Sequence, residues 1–175
     1  NPLSLHDALP ILRRQFAQVS DEYMRAEVHL NAAKKLAADF KGKESSLFAT
    51  SLHNLAELFE ARGDYDEARP LYERAIAIGE KALGMEHADV ATRLTNLAAV
   101  IHAQGKYDQA HTLFERAVAI GEKTLGAEHP EVATTLNELA DSLKAQGKHD
   151  EARPLYERAI EIGEKTLSAE HADLA

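Results

Sequence analysis

The chain has 175 residues, 45% hydrophobic and 28% charged, enough for an ordinary buried core, and with no cysteine it excludes disulfides and thiolate metal sites. A net charge of -9 opposes binding to nucleic-acid phosphates and favours a basic partner. Ala, Leu, Glu and Lys dominate, and no apolar run approaches the roughly 18 residues of a membrane span, so the expectation is an all-α, cytoplasmic chain without membrane partners.

In chain order, Ser4-Leu5-His6-Asp7-Ala8-Leu9-Pro10-Ile11 reads back into TCC CTA CAC GAC GCT CTT CCG ATC, which resembles a widely used sequencing adapter. Residues 1–11 are therefore expected to be a translated, non-native cloning scar, set aside from fold reasoning. The alternative is a native amphipathic start. Residues 12–51 read as a degenerate first repeat, in which Tyr23, Ala26, Ala33, Leu36, Ala49 and Thr50 align with Tyr65, Ala68, Ala75, Ile78, Ala91 and Thr92. Residues 52–93 and 94–135 align without a gap at 25 identities in 42, and residues 136–175 continue the register until they are truncated at the next helix A.

Each repeat reads as two helices. Helix A is expected from Ala88 to Gln104 in the second full unit, with Leu94, Leu97, Ala98 and Ile101 on one apolar face. Gly105 breaks it. Helix B is expected from about Asp108 to Leu125, burying Ala110, Leu113, Phe114, Ala117, Ile120 and Leu125, with Gly126 as its C-terminal cap. Neither helix can bury its face alone, so successive units must stack.

The spaced pattern Leu, small, aromatic, Gly, Tyr, Ala, aromatic, Ala is met by Leu55, Ala56, Phe59, Gly63, Tyr65, Ala68, Tyr72 and Ala75. Leu97, Ala98, Ile101, Gly105, Tyr107, Ala110, Phe114 and Ala117 repeat it, as do Leu139, Ala140, Leu143, Gly147, His149, Ala152, Tyr156 and Ala159. These residues resemble the tetratricopeptide repeat. Glu80, Glu122 and Glu164 stand where the ordinary 34-residue unit closes helix B with proline, and the 42-residue period is similar to the kinesin light chain type. The resemblance implies a right-handed superhelical solenoid of antiparallel helix pairs that binds an extended peptide or a partner helix in its concave groove. By the family's helix A pattern the groove positions are Thr50, Asn54, Glu57 and Ala61, then Thr92, Asn96, Ala99 and Ala103, then Thr134, Glu138, Asp141 and Ala145. Asn54 and Asn96 are expected side by side, their amides able to hold a peptide backbone, with the ladder interrupted by Glu138.

Other motifs read as structure. The joints GEKALGMEHADVA from Gly79, GEKTLGAEHPEVA from Gly121 and GEKTLSAEHADLA from Gly163 carry His87, His129 and His171, which could suggest a metal site. Equivalent packed helices lie about 10 Å apart, far beyond shared zinc coordination. Cap positions are the better reading: His129 precedes Pro130 and Glu131, and Ser45 holds the equivalent place one unit earlier. Gly79, Gly121 and Gly163 are expected to mark close helix packing, and Pro70 and Pro154 to bend a first turn. No nucleophile, base and orienter set is visible, so no enzymatic activity and no cofactor are expected. Three functions stay open: a protein-binding scaffold, preferring basic or neutral segments because no groove position is Lys or Arg; a sensor or regulatory array of a larger signalling protein whose effector domain lies outside the sequence; and a self-assembling spacer that oligomerises through uncapped ends.

Removing residues 1–11 is expected to leave the melting transition unchanged within error when followed by circular dichroism. A clear fall would show that Leu9 and Ile11 pack on the helices.

Overall fold

From residue 45 onward, apolar residues recurring every three or four positions become six helices joined by short loops in the computed structural model. It describes residues 45–173, with side chains to residue 166, and before them Val28, Ala32 and Lys35, each helical. The scar expected at 1–11 and the alignments of Tyr23, Ala26, Ala33 and Leu36 lie outside the described residues. The helices are α1 (Ser46–Ala61), α2 (Tyr65–Leu83), α3 (Ala88–Ala103), α4 (Tyr107–Thr124), α5 (Pro130–Ala145) and α6 (His149–Asp173). The expected pair A at 88–104 and B at 108–125 is thus α3 and α4, each displaced by no more than a residue. Pro70 and Pro154 lie inside α2 and α6, which run through them.

Loop chemistry sets the alternation. After α3, Gly105 takes φ 75°, its N–H bonds to the His102 carbonyl at 2.8 Å, and the Lys106 N–H bonds to the Ile101 carbonyl at 3.1 Å. This is the Schellman pair of bonds that closes a helix with a left-handed residue. The same two bonds form around Gly63 and Gly147. Each A-to-B turn is therefore made the same way, which reverses the chain identically three times.

The B-to-A joints also follow local chemistry. The Ser45 hydroxyl accepts from the Phe48 N–H at 3.2 Å, and the Nδ1 atoms of His87 and His129 accept from the Asp89 and Glu131 N–H groups, each at 3.2 Å. Pro130 is the first helical residue, and Gly126 with φ 101° follows α4. The cap reading of the joints therefore holds for two of the three. At the third, α6 continues to Asp173 through the place where Gly84 and Gly126 release α2 and α4. Ser168 stands there, and a residue with a Cβ does not readily adopt that positive φ, so the joint expected around His171 is helix instead.

Packing follows from this geometry. The central core gathers Ala68, Tyr72, Val90, Leu94, Leu97, Ala98, Ala110 and Phe114 from two adjacent pairs. Helix α3 buries Val90 and Leu94 between α2 and α4, and α5 buries Val132 and Leu136 with Val118 of α4 and Ala159 and Ile162 of α6 one repeat on. Gly79 and Gly121 allow the approach: a Cβ on Gly121 would lie 3.2 Å from Val132 Cγ2. Gly163 meets nothing within 4 Å, so close packing explains the first two glycines and not the third. Across the stack Glu80 receives Arg116 and Glu122 receives Arg158, each at 2.6 Å, so the glutamates at the usual proline position tie successive B helices together.

Gly105→Ala is expected to cost about 1–2 kcal/mol, the penalty of a left-handed L-residue, because no atom lies within 4 Å of the added Cβ and the effect is purely conformational. Urea unfolding monitored by circular dichroism measures it. A neutral result would mean that this turn does not need its positive φ.

Candidate functional site

The inner surface is made by the A helices. Among the described residues the backbones of α1 and α3, and of α3 and α5, come within 8 Å of each other at some points, whereas those of successive B helices do not. The A helices therefore converge on the concave side. Residues spaced four, three and four along each of them share one stripe, and the expected groove residues occupy it.

Four of those residues line one cavity. Thr92 and Asn96 of α3 and Thr134 and Glu138 of α5 surround it, together with Thr95, Gly121, Glu131 and Thr135, and its volume is about 150 Å³. The rest are spread along the same face. Asn54 is exposed on α1, Glu57 accepts from the Asn96 amide at 3.4 Å and lies 3.4 Å from His53 Nε2, Ala99 is half-buried, and Asp141 accepts from the Tyr156 hydroxyl. Asn96 thus holds a neighbouring glutamate across the stack.

The electrostatics of this face are acidic. Tyr72 donates to Glu60 at 2.6 Å, and burial raises the Glu60 carboxyl above its ordinary value against the lowering effect of that bond. Burial also pushes Glu138 up, to about 7, helped by the negative charges of Glu60 and Asp141. Glu60 on the first helix and Glu138 on the fifth feel one another because the stack curves. One oxygen of Glu138, Oε2, is buried without a hydrogen-bond partner. Unsatisfied buried carboxylate is costly.

Sequence reasoning missed Glu60, which lies between groove stripes, and the pair Thr95 and Thr135, whose hydroxyl oxygens are 3.2 Å apart. Both threonines sit at positions that look like ordinary helix dressing. Only the stacking of α3 on α5 makes them neighbours. The arginine of the Tyr72-Glu73-Arg74 triplet also does more than dress the surface, since it lies 5.1 Å from the centre of the Phe48 ring.

A family model for the tetratricopeptide repeat matches three overlapping segments, residues 15–81, 47–122 and 89–165. The chain belongs to the tetratricopeptide repeat family. Among solved structures, this tetratricopeptide array is similar to a Podosopora anserina putative kinesin light chain with nearly identical repeats, at 33% identity over 85% of this chain and 71% of that one, with a TM-score of 0.68. It is also similar to BtubC (BKLC) from P. vanneervenii, at 26% identity and a TM-score of 0.77 over 83% of this chain and 58% of that one. It therefore spans little more than half the length of that structure. MamA, at 22% identity and a TM-score of 0.58 over 84% of this chain and 71% of that one, shares the fold. No curated protein sequence matches. The repeats are of the kinesin light chain-like type, arrays of this family are in general protein-interaction scaffolds, and among the described residues no helix is long and apolar enough to cross a membrane.

The raised Glu138 pKa makes a stability prediction. The folded chain holds this proton more tightly than the unfolded one, so the associated stability is present below about pH 4.5, the ordinary value, and is lost as pH rises toward 7. Glu138→Gln, which keeps the shape and cannot ionise, is expected to melt higher than the parent at pH 8 and at the same temperature near pH 4. Thermal melts at the two pH values check this, and a difference that does not depend on pH would contradict it.

Proposed function

We propose that this tetratricopeptide array is a scaffold whose concave face takes an extended peptide or partner helix carrying Lys or Arg. The observation that carries the reading is the acidity of the inner face: Glu57, Glu138 and Asp141 lie on the stripe with Glu60 beside it, and none of the twelve groove positions is Lys or Arg. The charge of Glu57 helps to raise Glu60, those of Glu60 and Asp141 help to raise Glu138, and an approaching cation relieves that repulsion. Thr92, Asn96 and Thr134 supply uncharged hydrogen-bonding groups along the same stripe for a peptide backbone. Charge of this kind acts on encounter rate and selectivity more than on final affinity. The proposal assigns no catalytic step and no cofactor to the face, and the partner is a protein segment rather than a nucleic acid, whose phosphates the same acids repel.

Peptide arrays that differ only in the sign of their charges test it, read at low and moderate salt. Basic peptides are expected to associate faster than acidic ones by on the order of tenfold at low salt. The advantage shrinks as salt screens it, and shrinks again in Glu138→Gln and Asp141→Asn. A preference for acidic peptides, or basic binding untouched by both substitutions, would put the binding face elsewhere.

A further inference from the structure

The two joints between stacked repeats are built at equivalent positions, and three side chains differ in kind between them: His53, Arg93 and Asn96 give way to Thr95, Thr135 and Glu138. Where α1, α2 and α3 meet, the chain inserts Arg93, which is 4% exposed. Its Nη2 lies 3.3 Å from Thr50 Oγ1 and 3.9 Å from the Asp89 carboxylate. The guanidinium occupies the space above Gly79, where a Cβ would come within 2.8 Å of Nη1. The Thr50 hydroxyl gives its own proton to the Ser46 carbonyl at 3.1 Å and is left with lone pairs to accept from the arginine.

Forty-two residues on, where α3, α4 and α5 meet, the position of Arg93 is held by Thr135. Thr95 likewise stands where the first joint has His53, and other positions are retained or conservatively changed: Thr92 for Thr50, Gly121 for Gly79, Glu131 for Asp89. Thr92 likewise gives its proton to a carbonyl four residues back, that of Ala88, at 3.3 Å. In this joint the place of the guanidinium is the cavity of about 150 Å³ on the concave face. A cavity of that size admits benzene in another protein, and guanidinium has fewer heavy atoms. One acceptor has been added. Glu138 replaces Asn96 of the preceding joint and lines the cavity, and its buried Oε2 has no partner.

We infer that this cavity is a subsite for the guanidinium group of an arginine side chain on the bound peptide, with the carboxylates of Glu138 and Glu131 and the Thr92 hydroxyl as acceptors. The chain itself supplies the template, since it fills the equivalent space one repeat earlier with its own arginine. Guanidinium suits it better than ammonium because its planar fork presents several donors at fixed directions and is more weakly hydrated. The inference rests on the groove reading above and adds to it the residue that the groove selects.

The test is a titration of the full chain, labelled with nitrogen-15, with acetyl-Gly-Arg-Gly-amide and with the same peptide carrying citrulline, which has the same shape and no charge. The arginine peptide is expected to bind at least about tenfold more tightly, with the largest shifts at Thr95, Gly121 and Thr135. Thr135→Arg places a guanidinium in the cavity from within and is expected to abolish that binding. Glu138→Gln, a conservative change that tests the same point if the first variant does not fold, is expected to weaken it at least about fivefold. Equal binding of the citrulline peptide, shifts confined to other surfaces, or an affinity unchanged in Glu138→Gln would overturn the subsite. If longer basic peptides still bind the A-helix face in that event, the groove reading survives it; if no basic peptide binds that face, both readings fall.

Discussion

The structure depends on one packing constraint: an A helix can bury its apolar stripe only when held between two B helices, that of the preceding pair and its own. Val90 and Leu94 of α3 are almost completely buried among residues of α2 and α4, and Val132 and Leu136 of α5 among Val118 of α4 and Ala159 and Ile162 of α6. Burying such a side chain contributes about 1.5–3 kcal/mol relative to leaving it in water, so each interface is worth more than any surface ion pair along the stack, which contributes about 0–1 kcal/mol. The salt bridges from Arg116 and Arg158 therefore guide the register of the B helices more than they hold the stack together.

The constraint also fixes where chemistry can sit. Small residues at Gly79 and Gly121 let the helices close up, the A helices converge, and side chains that are remote in sequence come to share one concave surface. Acids gather there at some cost to stability, shown by Glu60 and Glu138, both held above their ordinary range chiefly by burial. Groups kept in an unfavourable state by the fold are often those reserved for a ligand. The same packing shows how a solenoid can vary its surface without changing its frame. A few side-chain exchanges, chiefly arginine at 93 for threonine at 135 and histidine at 53 for threonine at 95, separate a filled joint from an open one while the backbone around it keeps the same turns and caps.

How much of this was legible depended on whether the signal was local. Glycines at 63, 105 and 147, caps at Ser45, His87 and His129, and apolar spacing along α3 and α4 are decided by a few neighbouring residues, and each was readable from the chain alone. The exception teaches the same lesson: α6 runs on where Ser168 replaces a glycine, a local change overlooked because the surrounding motif repeats so well. The polar stripe along the A helices was legible as a pattern. Its contents were not, since Asn96 turns to Glu57 and Asp141 receives Tyr156 through contacts that spacing does not reveal.

The sequence by itself determined the helix pairs, their 42-residue period, the family and the net acidity, because these follow from residue type and periodicity along one chain. Only the tertiary structure decided that Thr95 meets Thr135, that Glu60 and Glu138 share a field, that Arg93 is buried beside Gly79 and that its counterpart at Thr135 borders a cavity. These relations join residues about 40 positions or more apart, or turn on the space left between three helices, and a linear pattern carries no record of either.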